Sequence, residues 1–463
     1  MKIIKNETKA ILLFTAMLCS VQYSHAQVAG TPYIPPADIP FSFLYGGSNS
    51  DISSPMGMDK TADGGSILVG TSSSSISGDI TGINHGASDF WIVKLDRYGK
   101  IEWQRLYGGS GRDEAYSIQQ TTDGGYIVAG FSMSSASGDV TGINHGQEPD
   151  AWVFKLNASG DIQWQRLYGG DQYERFDSIR ETSDGGYIAA GYSTSSANGD
   201  VTGTNIAFQD TWIVKLNSSG NIQWQQLYSN IAYGSDSAGS IEQTSDGGYI
   251  ISGLAAGGVN GIDYRILKLN SAGTVEWDKL YGGSGSDYIN YTMQTADGGY
   301  IVTGYSNSSA SGNVTGTSHG EEDIWVIKLN SLGNIQWQRL YGGTGYDRFS
   351  YILQTNDGGY LLGASSNSSA SGDVTGTSNG GNDIWTVKLN SVGNIEWQKL
   401  YGGNGSDVAS SIKQAVDGSY IIAGLSRSSL SGDVTDSNNG SNDCWVMKLD
   451  SSGNIMMVPS LGQ

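Results

Sequence analysis

The feature that most constrains the fold is an internal repeat of about 60 residues that runs through almost the whole chain. Its clearest marker is Leu-Tyr-Gly-Gly or a near copy, and the seven copies begin at Leu44, Leu106, Leu167, Leu227, Leu280, Leu340 and Leu400. Two further markers, Asp-Gly-Gly-Tyr and Asp-x-Trp-x-x-Lys-Leu, recur with the same period. A fixed period of this kind is typical of architectures in which each unit packs on its neighbours. The chain therefore contains seven copies of one structural unit.

One copy divides into four predicted β-strands. Ser117–Thr121 and Tyr126–Gly130 flank an Asp-Gly-Gly turn, and Asp-Gly between two β-rich runs is a strong hairpin signal. A long polar loop, Ser132 to Asp150, precedes the third and fourth strands, Trp152–Leu156 and Ile162–Tyr168. The apolar spacing of a helix does not occur after the first 26 residues. The copy is therefore an all-β unit with one long connection.

The arrangement of the copies follows from which strands are apolar. The second strand is apolar on both faces, as expected for a strand covered by sheets on either side, whereas Gln163, Gln165 and Arg166 suit an outer edge. Four-stranded sheets repeated around an axis form a β-propeller. The 68 Gly residues and only 7 Pro agree with many tight turns. We predict an all-β fold, a seven-bladed β-propeller of four-stranded antiparallel blades, over residues 41–463.

The two ends of the repeat predict how the ring closes. Phe41–Tyr45 matches the fourth-strand motif but precedes the first complete copy, whereas the last copy ends in Ile455–Val458 and lacks this motif. Joining the ends protects a circular fold from two free sheet edges. We therefore predict that residues 41–45 pair with the strand Trp445–Leu449.

The first 26 residues have the order of a secretory signal peptide. Three lysines precede the apolar run Ala10–Cys19, which is too short to span a membrane, and Ser24–Ala26 supplies a cleavage site before Gln27. We expect residues 27–40 to form a linker. The mature chain is expected in the periplasm or outside the cell, without membrane insertion.

Charge and cysteine content exclude some partners. Removal of residues 1–26, which contain three Lys and one Glu, changes the formal net charge from −20 to −22. Such a chain repels nucleic acid and anionic lipid. Cys444 is the only cysteine left after cleavage, so an intramolecular disulfide is impossible. We expect a monomer that binds no nucleic acid.

The repeat also resembles a known family. The strings Gly-Gly-Ser-Gly-x-Asp, Asp-Gly-Gly-Tyr-Ile-Val-x-Gly and Asp-x-Trp-x-x-Lys-Leu-x-x-x-Gly are similar to the seven-bladed β-propeller repeats of bacterial exported proteins, the SBBP type. The resemblance covers almost the whole mature chain. It implies a propeller used as a binding or scaffold module, and it implies no shared catalytic motif.

Aspartates are the candidate metal ligands. The long loops contain Gly-Asp-(Val/Ile)-Thr and end at Asp-x-Trp, so topology places both aspartates near one face of the propeller. Oxygen ligands from carboxylates and glycine-rich carbonyls suit Ca²⁺, although aspartates in turns commonly bond their own backbone. The predicted calcium ligands, paired within each loop, are Asp79, Asp89, Asp139, Asp150, Asp200, Asp210, Asp373, Asp383, Asp433 and Asp443.

Other chemistry-bearing residues favour structural roles. His85, His145 and His319 occupy one equivalent loop position in copies that are not all neighbours, so a shared zinc is not expected. All 12 Trp lie at repeat positions, which favours packing between blades over a sugar-binding platform. No nucleophile elbow or phosphate-binding loop is present in the sequence. No catalytic residue is therefore predicted.

Two classes of function stay open. The first is a non-enzymatic interaction module whose long-loop face binds an extracellular protein or a glycan. The second is a propeller-based hydrolase or lyase acting on extracellular polysaccharide. An enzyme is expected to break the repeat symmetry with titratable residues in one or two copies, whereas the acids noted above recur in nearly every copy. This recurrence favours the interaction module.

Overall fold

The computed structural model describes residues 38–51, 57–229, 234–258 and 261–459. The predicted signal peptide and residues 27–37 of the predicted linker lie outside the described residues. No helix in the described part of the chain is long and apolar enough to cross a membrane. The described elements are β-strands, so the all-β prediction is confirmed.

The strands follow the repeat. In chain order they are β1 (Asp38–Pro40), β2 (Ser42–Tyr45), β3 (Gly57–Lys60), β4 (Ser66–Ser72), β5 (Asp89–Leu95), β6 (Ile101–Tyr107), β7 (Asp113–Gln120), β8 (Tyr126–Ser132), β9 (Asp150–Leu156), β10 (Ile162–Tyr168), β11 (Glu174–Glu181), β12 (Tyr187–Ser193), β13 (Asp210–Leu216), β14 (Ile222–Tyr228), β15 (Asp236–Gln243), β16 (Tyr249–Gly258), β17 (Gly261–Leu269), β18 (Val275–Tyr281), β19 (Asp287–Gln294), β20 (Tyr300–Ser306), β21 (Asp323–Leu329), β22 (Ile335–Tyr341), β23 (Asp347–Gln354), β24 (Tyr360–Ser366), β25 (Asp383–Leu389), β26 (Ile395–Tyr401), β27 (Asp407–Gln414), β28 (Tyr420–Ser426), β29 (Asp443–Leu449) and β30 (Met457–Pro459).

These strands form seven four-stranded antiparallel sheets. Blades 1 to 6 are β3–β6, β7–β10, β11–β14, β15–β18, β19–β22 and β23–β26, and blade 7 is β27–β29 completed by β2. Innermost strands of successive blades contact one another around the ring, including β27 with β3. The prediction of a seven-bladed β-propeller is confirmed.

The long loop is slightly shorter than the sequence indicated. Ser132 and Asp150 are the first and last residues of the predicted loop. They pair directly with each other, because the ladder between β8 and β9 extends to them. In blade 4 the long loop is replaced by a tight connection, since Gly258 pairs with Gly261. Blade 4 therefore lacks the projecting loop of the other blades.

The ring closes as predicted. The strand β2 pairs antiparallel with β29, with Leu44 opposite Trp445 and Tyr45 opposite Cys444. The Trp445 indole also donates a hydrogen bond of 2.9 Å to the Ser42 hydroxyl. The last strand, β30, instead pairs with β1 in a separate two-stranded sheet. The N-terminal segment thus supplies the outer strand of the blade that ends the chain.

Two repeated contacts hold nearly every blade. The third-strand tryptophans are fully buried, and most donate through the indole to a fourth-strand Gln, as Trp91 does to Gln104 at 2.8 Å. The buried third-strand lysine reaches the aspartate of the first hairpin, as Lys155 does to Asp123 at 3.0 Å. The lysine, with the turn hydroxyl and amide, holds the pKa of Asp123 at about 2 although partial burial opposes it. Packing inside a blade thus uses residues common to nearly all copies.

A tyrosine hydroxyl joins each blade to the next. The tyrosine of Leu-Tyr-Gly-Gly donates to the carbonyl of the turn glycine between the third and fourth strands of the following blade, as Tyr107 does to Gly160 at 2.5 Å. The seven pairs are Tyr45–Gly99, Tyr107–Gly160, Tyr168–Gly220, Tyr228–Gly273, Tyr281–Gly333, Tyr341–Gly393 and Tyr401–Gly453. The pair Tyr45–Gly99 forms only because the N-terminal strand closes the ring.

Closure generates a prediction about truncation. A chain that begins at Gly46 loses the buried side chains of Phe41, Phe43, Leu44 and Tyr45, and each is expected to contribute about 1.5–3 kcal/mol by burial. A chain that begins at Asp38 retains them and is the control. Thermal unfolding should show a midpoint well below that of the control for the shorter chain. Equal midpoints would contradict the assignment of β2 as the closing strand.

Candidate functional site

The long loops and the connections between blades emerge on one face, here called the loop face, because the strands alternate in direction. The first hairpins and the turns between third and fourth strands lie on the opposite face, here called the hairpin face. The predicted calcium ligands belong to the loop face. Their contacts show what holds that face together.

The aspartates of Gly-Asp-(Val/Ile)-Thr bind the preceding blade. Asp139 Oδ2 accepts a hydrogen bond from the Gly108 amide at 3.3 Å, and its own amide donates to the Gly108 carbonyl at 2.8 Å. The same pair of contacts is made by Asp79, Asp200, Asp373 and Asp433 with Gly46, Gly169, Gly342 and Gly402. These carboxylates therefore fix the long loop of one blade onto the end of the previous blade.

The aspartates that begin the third strands are buried at the same junctions. Asp89 Oδ2 accepts from the His85 amide at 2.9 Å, while its Oδ1 is buried without a hydrogen-bond partner. Unpartnered Oδ1 atoms recur at Asp89, Asp150, Asp210, Asp263, Asp323, Asp383 and Asp443. Burial raises the pKa of Asp89 and raises that of Asp443 to about 6. A protonated Asp443 would lose the charge that its buried position disfavours.

The first glycine of Leu-Tyr-Gly-Gly is required by these carboxylates. A Cβ atom on Gly108 would lie 2.3 Å from Asp89 Oδ1 and 2.9 Å from Asp113 Oδ2. Asp113 Oδ2 is held in place by the Gly109 amide at 2.7 Å and the Ser134 hydroxyl at 2.9 Å. The junction is therefore a close approach of backbone to two carboxylates, which only glycine permits.

Histidines of the loop face link the predicted calcium ligands between blades, while a shared ion between Asp139 and Asp150 stays a prediction. His145 lies between Asp150 and Asp200 of the next blade, with its ring nitrogens 2.7 and 3.6 Å from their Oδ2 atoms. In the same way, His85 lies between Asp89 and Asp139, and His319 lies between Asp323 and Asp373. The reason is that each long loop folds back over the preceding blade.

Calcium binding stays a prediction. Among the described residues no group of three or more His, Cys, Asp and Glu side chains is arranged to hold a metal ion. Backbone carbonyls and water would have to supply most of the six to eight oxygen ligands that Ca²⁺ requires. Addition of a chelator should lower the thermal midpoint if calcium is bound, and an unchanged midpoint would leave these aspartates with their hydrogen-bonding role alone.

A cavity of about 740 Å³ lies on the propeller axis, lined by the innermost strands of all seven blades. Sequence reasoning missed the residues that line it. On the innermost strands of blades 2 and 3 a β-bulge leaves Tyr116 and Asp177 unpaired in the ladder, so their side chains face the axis. The Arg175 guanidinium contacts Asp177 at 3.0 Å and stacks on the Tyr116 ring at 4.8 Å. Burial raises the pKa of Asp177, and Arg175 opposes that shift.

The axial residues differ from copy to copy. At the position of Gln119, the other blades carry Asp59, Arg180, Glu242, Met293, Leu353 and Lys413. Such titratable residues, each present in a single copy, are the symmetry breaking expected of a functional site. An alignment of the seven first strands against one another would have revealed them. The markers that define the repeat lie at positions that vary little between copies.

The closed ring of seven four-stranded blades places the chain in the class of seven-bladed β-propellers. No family model matches it. The regulatory protein FlaEY of Caulobacter vibrioides is 24% identical over 400 residues, which cover 78% of this chain and 41% of that protein. The chain thus matches less than half the length of this curated relative.

Solved structures resemble the chain only distantly. The Kuenenia stuttgartiensis hydrazine synthase has a TM-score of 0.49 and 11% identity, with coverage of 88% of this chain and 98% of that chain. The Neurospora crassa Pan2 WD40 domain has a TM-score of 0.47 and 10% identity, with coverage of 87% and 91%. Neither similarity bears on activity.

The blade junction generates a prediction about glycine. Gly108→Ala should destabilise the protein by about 1–3 kcal/mol, because the new Cβ meets two fixed carboxylates. Gly239→Ala is the matched control, since its Cβ would meet nothing closer than 3.9 Å. In denaturant unfolding, Asp89→Ala should recover part of the loss caused by Gly108→Ala. Equal stability of the two glycine variants would contradict the account of the junction.

Proposed function

We propose that the protein is an exported, non-enzymatic interaction module that binds a partner protein through its loop face. Export rests on the signal-peptide pattern and on the resemblance to SBBP-type repeats. The single observation that carries the choice of a protein partner is a set of exposed apolar side chains on the long loops of blades 7, 1, 2 and 3. They are Ile76, Ile83, Met133, Ile143, Ile206, Phe208 and Leu430.

These side chains depart from the repeat. Ile83 and Ile143 occupy a position that is Thr or Ser in the other long loops, and both are more than half exposed. Phe208, which is 77% exposed, stands where the other copies have small or polar residues. Large exposed apolar residues that face water have no role in packing the blades. Apolar groups of this kind are typical of surfaces that bind other proteins.

Backbone conformation adds support at the loop tips. The residue two positions before the glycine of Gly-Asp, or of Gly-Asn in blade 5, adopts a positive φ in each long loop, and blades 2, 3, 5 and 6 place alanine there. Blades 1 and 7 instead carry Ile76, with φ 33°, and Leu430, with φ 44°. A β-branched residue in this region is unfavourable by about 1–3 kcal/mol. The strained, exposed Ile76 is better explained by contact with a partner than by the stability of the loop.

The acids of the loop face favour binding over hydrolysis of polysaccharide. Glycoside hydrolysis uses a pair of carboxyl groups that flank the substrate, one acting as acid and one as base or nucleophile. The loop aspartates instead accept hydrogen bonds from backbone amides in one blade after another. Groups engaged in this way position loops, and their recurrence does not single out one catalytic pair.

A quantitative pull-down tests the proposal. The purified full mature chain is immobilised and exposed to extracellular and envelope fractions of its source, and retained proteins are measured by mass spectrometry. The double substitution Ile143→Asp with Phe208→Asp should reduce the retained partner about tenfold, because it places two charges in the contact. Leu332→Asp, on an exposed turn of the hairpin face, is the matched control and should retain the partner.

Two results would contradict the proposal. Equal retention by the wild type and the double variant would show that the loop apolar residues are not the contact. Binding of the wild type to a glycan array, lost in the same double variant, would replace the protein partner with a glycan. Both variants must first show the thermal midpoint of the wild type within a few degrees.

A further inference from the structure

The axial cavity carries charged groups with unused hydrogen-bonding capacity. Lys413 Nζ has one ionic neighbour in the described structure, Asp59 at 3.9 Å, and no hydrogen bond. Arg180 has no carboxylate within 4.0 Å among the described residues; its Nη1 donates to the Ser117 hydroxyl and the Ile179 carbonyl, and its guanidinium also interacts with the Tyr291 hydroxyl. Both cations are partly buried, and their remaining N–H donors are available to a ligand.

One acidic side chain of the cavity, Glu242, also has unused hydrogen-bonding capacity. Glu242 Oε1 accepts from the Tyr291 hydroxyl at 2.6 Å, and no cation lies within 4.0 Å of Glu242 in the described structure. Burial lowers the pKa of Lys413, while Asp59 and Glu242 oppose the shift and Arg180 and Lys60 add to it. These groups therefore share one electrostatic environment. Two cations and an acid face the same space.

The wall contributed by blades 5 and 6 is different in chemistry. Met293 and Leu353 occupy the equivalent position there, and the rings of Tyr291 and Tyr351 also line the cavity. Blades 3, 4 and 7 supply Arg180, Glu242 and Lys413 to the remainder. The cavity thus has a charged wall of both signs and an apolar, aromatic wall. Ligand pockets commonly combine an apolar lining with a few placed polar groups.

We propose that the axial cavity binds a zwitterionic amino acid or dipeptide with a large apolar side chain. Arg180 and Lys413 would bind the carboxylate, Glu242 would bind the ammonium group, and Met293 with Leu353 would contact the side chain. A simple anion would leave Glu242 as an unfavourable neighbour, and a simple cation would oppose both basic groups. A ligand with both charges satisfies all three groups.

Size and access agree with such a ligand. About 740 Å³ lies within the usual range for small-molecule pockets and is sufficient for a dipeptide with bound water. Val416 lines the cavity and is 89% exposed, and Asn356 of a neighbouring hairpin lines it as well. The cavity therefore opens on the hairpin face, away from the loop face proposed to bind a protein. The two proposed sites therefore lie on different faces of the propeller.

Isothermal titration calorimetry of the full mature chain tests the proposal with L-leucine and leucyl-leucine. Two analogues remove one charge each: 4-methylpentanoate lacks the ammonium group, and 3-methylbutylamine lacks the carboxylate. Glycine lacks the apolar side chain. Wild-type protein should bind leucine or its dipeptide at least about tenfold more tightly than any of the three analogues.

Variants test which charged residue of the cavity contacts which charged group of the ligand. Arg180→Gln should weaken leucine binding about tenfold, and Glu242→Gln should abolish the preference for leucine over 4-methylpentanoate. Arg339→Gln is the control, because Arg339 lies on the outer strand β22 and bonds a carbonyl on an exposed turn. Absence of binding up to millimolar ligand, or equal wild-type affinity for leucine and 4-methylpentanoate, would overturn the proposal. The comparison of leucine with its analogues uses wild-type protein, so it tests the proposal even if a variant fails to fold.

Discussion

The bond from a tyrosine hydroxyl to a glycine carbonyl across each blade boundary is the contact on which the rest of the ring depends. It is buried and occurs seven times, and the pair Tyr45–Gly99 links the first segment of the chain to blade 1. A buried hydrogen bond of this kind contributes about 1 kcal/mol, and losing one partner costs more because a polar group is left unsatisfied. Directly after each of these tyrosines, the chain passes the buried aspartates so closely that glycine is needed in nearly every copy.

The junction explains why the loop-face aspartates recur. Asp139 and its equivalents hold the long loop on the preceding blade, and Asp113 and most of its equivalents accept a hydrogen bond from the second glycine of Leu-Tyr-Gly-Gly. Residues that repeat with the blades serve the ring. Residues that depart from the repeat are the exposed apolar side chains on four loops and the charged side chains on the axis. We therefore propose a function for the residues that differ between copies and a structural role for the residues that repeat.

The sequence predicted the architecture because the repeat specifies it several times over. The blade number, the four strands and the closing role of Phe41–Tyr45 followed from the markers and agree with the structure. The contacts that the loop aspartates make between blades could not be predicted, because they depend on how a loop folds over the neighbouring blade. The fold-back brings Asp200 Oδ2 within 3.6 Å of the His145 ring of the preceding blade. The axial cavity was missed since Arg180, Glu242 and Lys413 become neighbours only when the ring closes.

The central claim is that repeated positions stabilise the ring while the axial charges serve binding. Thermal unfolding of the triple variant Arg180→Gln, Glu242→Gln and Lys413→Gln tests it most directly, because Gln119 shows that this position accepts glutamine. Partly buried charges without close partners contribute little or nothing to stability. The midpoint should therefore be unchanged or higher than that of the wild type. A fall of many degrees would show that these residues hold the blades together and would contradict the account.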